Sequence, residues 1–123
     1  MSQTTISSDV MRGYIDLIIL RVLTEGDSYG YAISKRITEI SEDTYIMKET
    51  TLYSAFSRLE KLGHVRSYPG SYSGGRERTY YTLTDEGQNY YRHKCLEWRA
   101  TQELIPKFLQ GRRAAPARSA ARK

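Results

Sequence analysis

The apolar residues change their spacing at Gly63, and that change leaves few ways for the chain to fold. Upstream, in "KETTLYSAFSRLEKLG", Leu52, Ala55, Phe56, Leu59 and Leu62 recur every three or four residues, the period of a helix with one buried face. Thr50 or Glu49 stands where such a helix starts, and Gly63 stands where it takes a left-handed C′ residue. Downstream the period falls to two. "HVRSY" alternates with Val65 inward, and "RTYYTLT", rich in Thr and Tyr, favours a strand with Tyr81 and Leu83 on one face. Between them lie Pro69 to Glu77, with Gly70, Gly74 and Gly75, which reads as a hairpin with a long mobile tip. In a chain of 123 residues, these elements belong to one small domain with a modest core.

Two more helices precede this unit. Residues 1–11 are polar and expected to be flexible, with Ser8 or Asp9 placed to cap the first helix. In "RGYIDLIILRVL", from Arg12 to Leu23, Ile15, Ile18, Ile19 and Val22 fit one helical face, widened by Leu20 and Leu23. So short a run also fits a buried strand; a helix stopped by Gly26 is expected. Asp27 or Ser28 then caps a second helix with Tyr29, Ile33, Ile37 and Ile40 as its stripe, fading near Ser41. After the hairpin, Thr84 caps a last helix whose positive end suits Asp85 and Glu86, although Gly87 weakens its first turn. Along it Tyr91, Cys95, Trp98, Gln102, Ile105 and Leu109 step by 4, 3, 4, 3 and 4, a heptad seam that calls for a partner. Pro106 must kink that helix or break it near Ile105.

The expected fold class is therefore α+β, mostly helical: a winged helix-turn-helix with a two-stranded wing over residues 12–83, a C-terminal dimerisation helix over 84–110, and a disordered basic tail over 111–123. The net charge of +5 says little about DNA, because that tail alone carries Arg112, Arg113, Arg118, Arg122 and Lys123. The remaining 110 residues hold 14 basic and 14 acidic side chains. Placement matters more: Arg58, Lys61, Arg66, Arg76 and Arg78 cluster around the hairpin, whereas Glu39, Glu42, Asp43 and Glu49 lie upstream. Nothing in the sequence reads as a secretory signal or a membrane span, and Cys95, the only cysteine, excludes an internal disulfide, so the cytoplasm is the expected compartment.

The third helix and the hairpin tip carry the candidate chemistry. Opposite its apolar stripe the helix shows Thr50, Thr51, Tyr53, Ser54, Ser57, Arg58 and Lys61, hydroxyls and cations that hydrogen-bond phosphates and base edges. An ordinary solvated face is the plain alternative, and for Tyr53 the alternative is partial burial at the helix-turn-helix elbow. At the tip, Arg76 and Arg78 suit the DNA backbone or minor groove, helped by Ser71, Tyr72, Ser73 and the backbone of Gly74 and Gly75. For Arg78 the alternative is a salt bridge to Glu77 or Glu60. "SGGRER" lacks the spacing of a phosphate-binding P-loop. His64 and His93 show neither metal-ligand nor triad spacing, so no enzyme, metal site or cofactor is expected. Cys95, on the apolar seam, reads as a packed thiol.

The chain resembles the PadR-type transcriptional regulators, in their short subgroup with one C-terminal helix. The resemblance rests on "DLIILRVL", "SYGYAISKRI", "TTLYSAFSRLEKLGHV" and "SYSGGRERTYYTLTDEG", and it covers residues 12–110. The family's pattern has a proline after "TLY", where this chain has Ser54, an added hydroxyl at a place expected to face DNA. The resemblance implies a homodimer that binds double-stranded DNA at an inverted-repeat operator, usually represses, and packs its last helix across the dimer. Some members sense planar aromatic compounds between subunits. By that implication Trp98, with Tyr14, Ile15, Ile18 and Asp16 nearby, is a candidate platform for an aromatic effector; a plain dimer-core tryptophan is the alternative. A winged-helix module that binds proteins rather than specific DNA is the competing function.

Overall fold

A computed structural model describes residues 5–71 and 77–111. Among the described residues, five helices and three strands occur in the order α1 Ser8–Arg12, α2 Ile15–Leu23, β1 Ser28–Tyr29, α3 Gly30–Ile40, α4 Glu49–Lys61, β2 Val65–Ser71, β3 Glu77–Leu83 and α5 Asp85–Leu109. The strands form one antiparallel sheet in the order β1-β3-β2. The architecture is a winged helix-turn-helix with a long C-terminal helix, mostly helical as the spacing predicts.

The periodic stripes are the core, except that Leu62, the last of the α4 stripe, caps the helix and is exposed. Ile19, Leu20 and Ile33 are fully buried, as are Leu52, Phe56, Leu59 and Val65, and Phe56 stacks on Tyr81 at 3.9 Å. Each such aliphatic or aromatic side chain contributes about 1.5–3 kcal/mol by leaving water. A surface cluster ties α2 to α3: Arg36 Nε and Nη2 donate to the two oxygens of Glu25 at 2.9 and 3.0 Å, and Arg21 reaches Glu25 at 3.2 Å. Arg36 first, and Arg21 after it, hold the Glu25 carboxyl below its usual range.

Several elements differ from the expectation, each for a local reason. Ser8–Arg12 is a short helix, its first turn capped by Ser7, whose Oγ accepts from Val10 N at 3.3 Å. Ser28, one of two expected caps of the second helix, and Tyr29, expected first in its stripe, instead form β1, pairing Ser28 with Tyr81 and Tyr29 with Tyr80. Tyr29 thus leaves the α3 stripe, and Ile40 at its other end is exposed. The sheet has three strands rather than two, and the hairpin ladder continues through Pro69, Gly70 and Ser71 to Glu77, well into the expected tip. Helix α5 runs without a break through Pro106 to Leu109.

The corner joining α4, β2 and α5 fixes the angle between the winged unit and the last helix. Gly63, at φ +83°, closes α4 with a Schellman pair, Gly63 N to Glu60 O at 3.0 Å and His64 N to Leu59 O at 2.9 Å. The Thr84 hydroxyl accepts from Gly87 N at 2.9 Å and faces the carbonyls of Gly63 and His64 at 2.7 and 3.0 Å. One threonine therefore caps α5 and binds it to the end of α4.

Candidate nucleic-acid interface

Helix α4 is sharply two-sided. Leu52, Ala55, Phe56 and Leu59 are at most 2% exposed, while Thr50, Tyr53, Ser54, Ser57, Arg58 and Lys61 are exposed and Thr51 is half-buried. Thr51, Ser54, Arg58 and Lys61 succeed one another at three or four residues and share one line of the outward face. The turn before α4 is built to present it. The Ser41 hydroxyl accepts from Tyr45 N at 3.0 Å and reaches the carbonyls of Thr38 and Tyr45 at 3.0 and 3.2 Å. Glu42 and Asp43 adopt left-handed backbone, and Met47 is buried as the anchor of the turn.

Tyr53 is packed on one side and exposed on the other. The side chain is 48% exposed, yet its ring packs edge-on against Phe56 at 5.4 Å and its hydroxyl covers Gly30, the first residue of α3. The contact brings the N-terminal end of α3 alongside α4. Tyr31, the next residue, is 70% exposed there; it escapes a reading of the sequence because it belongs to no apolar stripe.

Two of the arginines are held by other side chains. Arg58 Nη2 donates to Asp16 Oδ1 across from α2, with the guanidinium still half exposed. Arg78 lies over the ring of Tyr29 at 4.0 Å, a cation–π contact. Glu60 is engaged by Ser67, whose Oγ and backbone N donate to it at 2.7 and 3.3 Å and join α4 to the wing. Tyr29, Tyr80 and Tyr68 lie side by side across the outer sheet face, and the Tyr68 hydroxyl donates to Asp27 at 2.6 Å. The hydroxyls of Thr82 and then Tyr68 hold the Asp27 carboxyl below its usual value. Ser73, Gly74, Gly75 and Arg76, with Tyr72, lie outside the described residues.

The last helix divides in two. Tyr91 and Cys95 are half-buried against their own protomer, and Trp98 meets Tyr14 edge-on at 5.2 Å. From Gln102 to Leu109 every residue is exposed, Ile105 and Leu109 included. A second apolar line, Leu96, Ala100, Leu104 and Phe108 at steps of four, escapes a heptad count that starts from Tyr91. Beside α5 runs a groove of about 1040 Å³ whose lining includes Ile18, Ile40, Tyr45, Tyr91, Cys95 and Trp98. Of the effector candidates, Ile18 and Trp98 line it, Tyr14 joins Trp98 at a smaller neighbouring pocket, Asp16 is engaged by Arg58 and Tyr90 instead, and Ile15 is buried in the core and unavailable.

A model of the transcriptional regulator PadR-like family matches residues 19–93, from α2 into α5. The chain is 41% identical over 106 residues to an uncharacterized protein of Lysinibacillus sphaericus, covering 86% of this chain and 97% of that one. A solved transcriptional regulator from Clostridium thermocellum is 57% identical, with a TM-score of 0.77 over 84% of this chain and 97% of the other. A PadR family transcription regulator from Clostridium difficile R20291 is 38% identical, with a TM-score of 0.67 over 78% and 98%. The matched stretch holds the two-sided α4, the turn that presents it and both long wing strands, and the chain belongs to the PadR-like family of transcriptional regulators.

Proposed function

We propose that this regulator acts as a homodimeric repressor that reads an inverted-repeat operator through the outward face of α4. The observation that carries this reading is the sidedness of α4: its apolar residues are sealed in the core, and a line of hydroxyls and cations remains for base edges and phosphates. Thr50, Thr51, Ser54 and Ser57 supply short donors and acceptors, Lys61 and the exposed side of Arg58 supply charge, and the wing with Arg76 and Arg78 tracks the backbone. Ser54, where family members carry proline, adds a hydroxyl within that line. A second copy covers the exposed α5 line of Leu96, Leu104 and Phe108 together with Ile105 and Leu109, apolar surface that an isolated protomer leaves in water. Such a dimer places the two α4 helices on successive major grooves, about 34–36 Å apart.

A planar aromatic effector is the ligand that the groove suits, with Trp98 as its stacking surface. Selecting binding duplexes from random-sequence DNA with the full chain, then measuring fluorescence anisotropy on the selected and a scrambled duplex, tests the DNA reading. A clear preference for the selected duplex supports it. Failure to enrich any sequence favours the protein-interaction module instead. Titrating phenolic acids and planar dyes while monitoring Trp98 emission tests the effector; unchanged emission with all of them removes that part.

A further inference from the structure

Asp16 stands where three helices meet. It lies in the first turn of α2, and its side chain is 15% exposed. One oxygen accepts from Arg58 Nη2 of α4, and the other accepts from the hydroxyl of Tyr90 of α5 at 3.2 Å. Tyr90 is itself fixed, its ring stacked on His64 at 4.2 Å and 10°, with Lys94 Nζ 5.8 Å from its centre. Burial, and after it the Asp16 carboxylate, push the Tyr90 phenol up, so it stays a donor.

The contact with Arg58 uses a single guanidinium nitrogen, and the side chain remains 49% exposed. A guanidinium carries five N–H donors in a planar fork. Holding one of them sets the plane of the rest without consuming them. We infer that Asp16 is a positioning residue through which α5 aims Arg58 at DNA: the carboxylate fixes the guanidinium on the α4 face, and Tyr90 fixes the carboxylate. A shift of α5, the helix that also carries Trp98, then moves the Arg58 fork relative to the phosphate or base it meets. The inference rests on the DNA-binding reading and adds to it a physical link from the C-terminal helix to the reading helix.

The test is a double-mutant cycle with Arg58→Ala and Tyr90→Phe in the full chain, read in two ways. Urea unfolding without DNA reports the link itself. The effect of Tyr90→Phe on stability shrinks when Arg58 is absent; equal effects in both backgrounds overturn the link. Anisotropy on a protein-selected and a scrambled duplex reports the aim. Tyr90→Phe lowers the selected-to-scrambled affinity ratio about fivefold when Arg58 is present and leaves it unchanged in Arg58→Ala. A Tyr90→Phe loss of the same size in both backgrounds overturns the role of Arg58. A wild-type chain that shows no preference for the selected duplex sinks the DNA-binding reading, while the urea cycle still decides the link. Tyr90→Phe keeps the ring on His64, and unchanged far-UV circular dichroism confirms that the variants are folded.

Discussion

Gly87 has no room for a side chain. A Cβ there collides with the His64 carbonyl and crowds Leu83 Cδ1, and a backbone carbonyl cannot swing aside. Sequence patterning marks this glycine only as a weak helix start; its need lies in the approach of α5 to the α4–β2 corner, which no local pattern reveals. Gly87→Ala therefore lowers stability by about 1–3 kcal/mol despite alanine's better helix propensity, measurable as a fall in the urea midpoint. Gly63, in contrast, is legible, because a glycine that closes a periodic apolar stripe marks the end of a helix. Asp27 makes the stability depend on pH. Its folded carboxyl titrates below the unfolded one, so its contribution is complete above about pH 4 and fades as the pH falls through the lowered folded value. Tyr68→Phe removes the hydroxyl that donates to it. Thermal unfolding of this variant shows a deficit at pH 6 that shrinks by pH 3; an equal deficit at both excludes Asp27 as the cause.

At the scale of elements, α4 is legible almost residue by residue, because a helix buried on one side writes its period into the sequence. The sidedness predicts two kinds of variant. Ser57→Ala, at an exposed short hydroxyl that the proposed reading sets against a base edge, changes which duplexes are preferred by up to about tenfold. Lys61→Ala weakens selected and scrambled duplexes alike and lowers the salt slope by about one. Uniform losses from both kinds, seen by anisotropy on the same two duplexes, count against direct reading by α4. The wing is only partly legible. Its Thr- and Tyr-rich strands are evident, but β1 spans two residues and exists through pairing with Tyr80 and Tyr81, some fifty positions away. The hold of Asp16 on Arg58 is hidden for the same reason, being a contact across 42 residues.

In the whole molecule, α5 is a helix of 25 residues, about 37 Å long, docked on its own protomer through its first half. The heptad count from Tyr91 leads to the expectation of a partner but assigns Tyr91 and Cys95 to it, where the protomer's own α2 already packs. Phe108→Glu, placing charge on the exposed line of α5, shifts the protein from dimer to monomer in sedimentation velocity and weakens operator binding with it. Binding by a dimer that neutralises 6–10 phosphates also falls about 10³–10⁵-fold between 50 and 200 mM salt. The most direct measurement is the stoichiometry and preference of binding at one fixed salt concentration, by anisotropy and sedimentation on the selected and scrambled duplexes. Two protomers on each selected duplex, bound about a thousandfold more tightly than the scrambled one, is the predicted result. Equal affinity for the two duplexes, or a single protomer on the selected one, contradicts it.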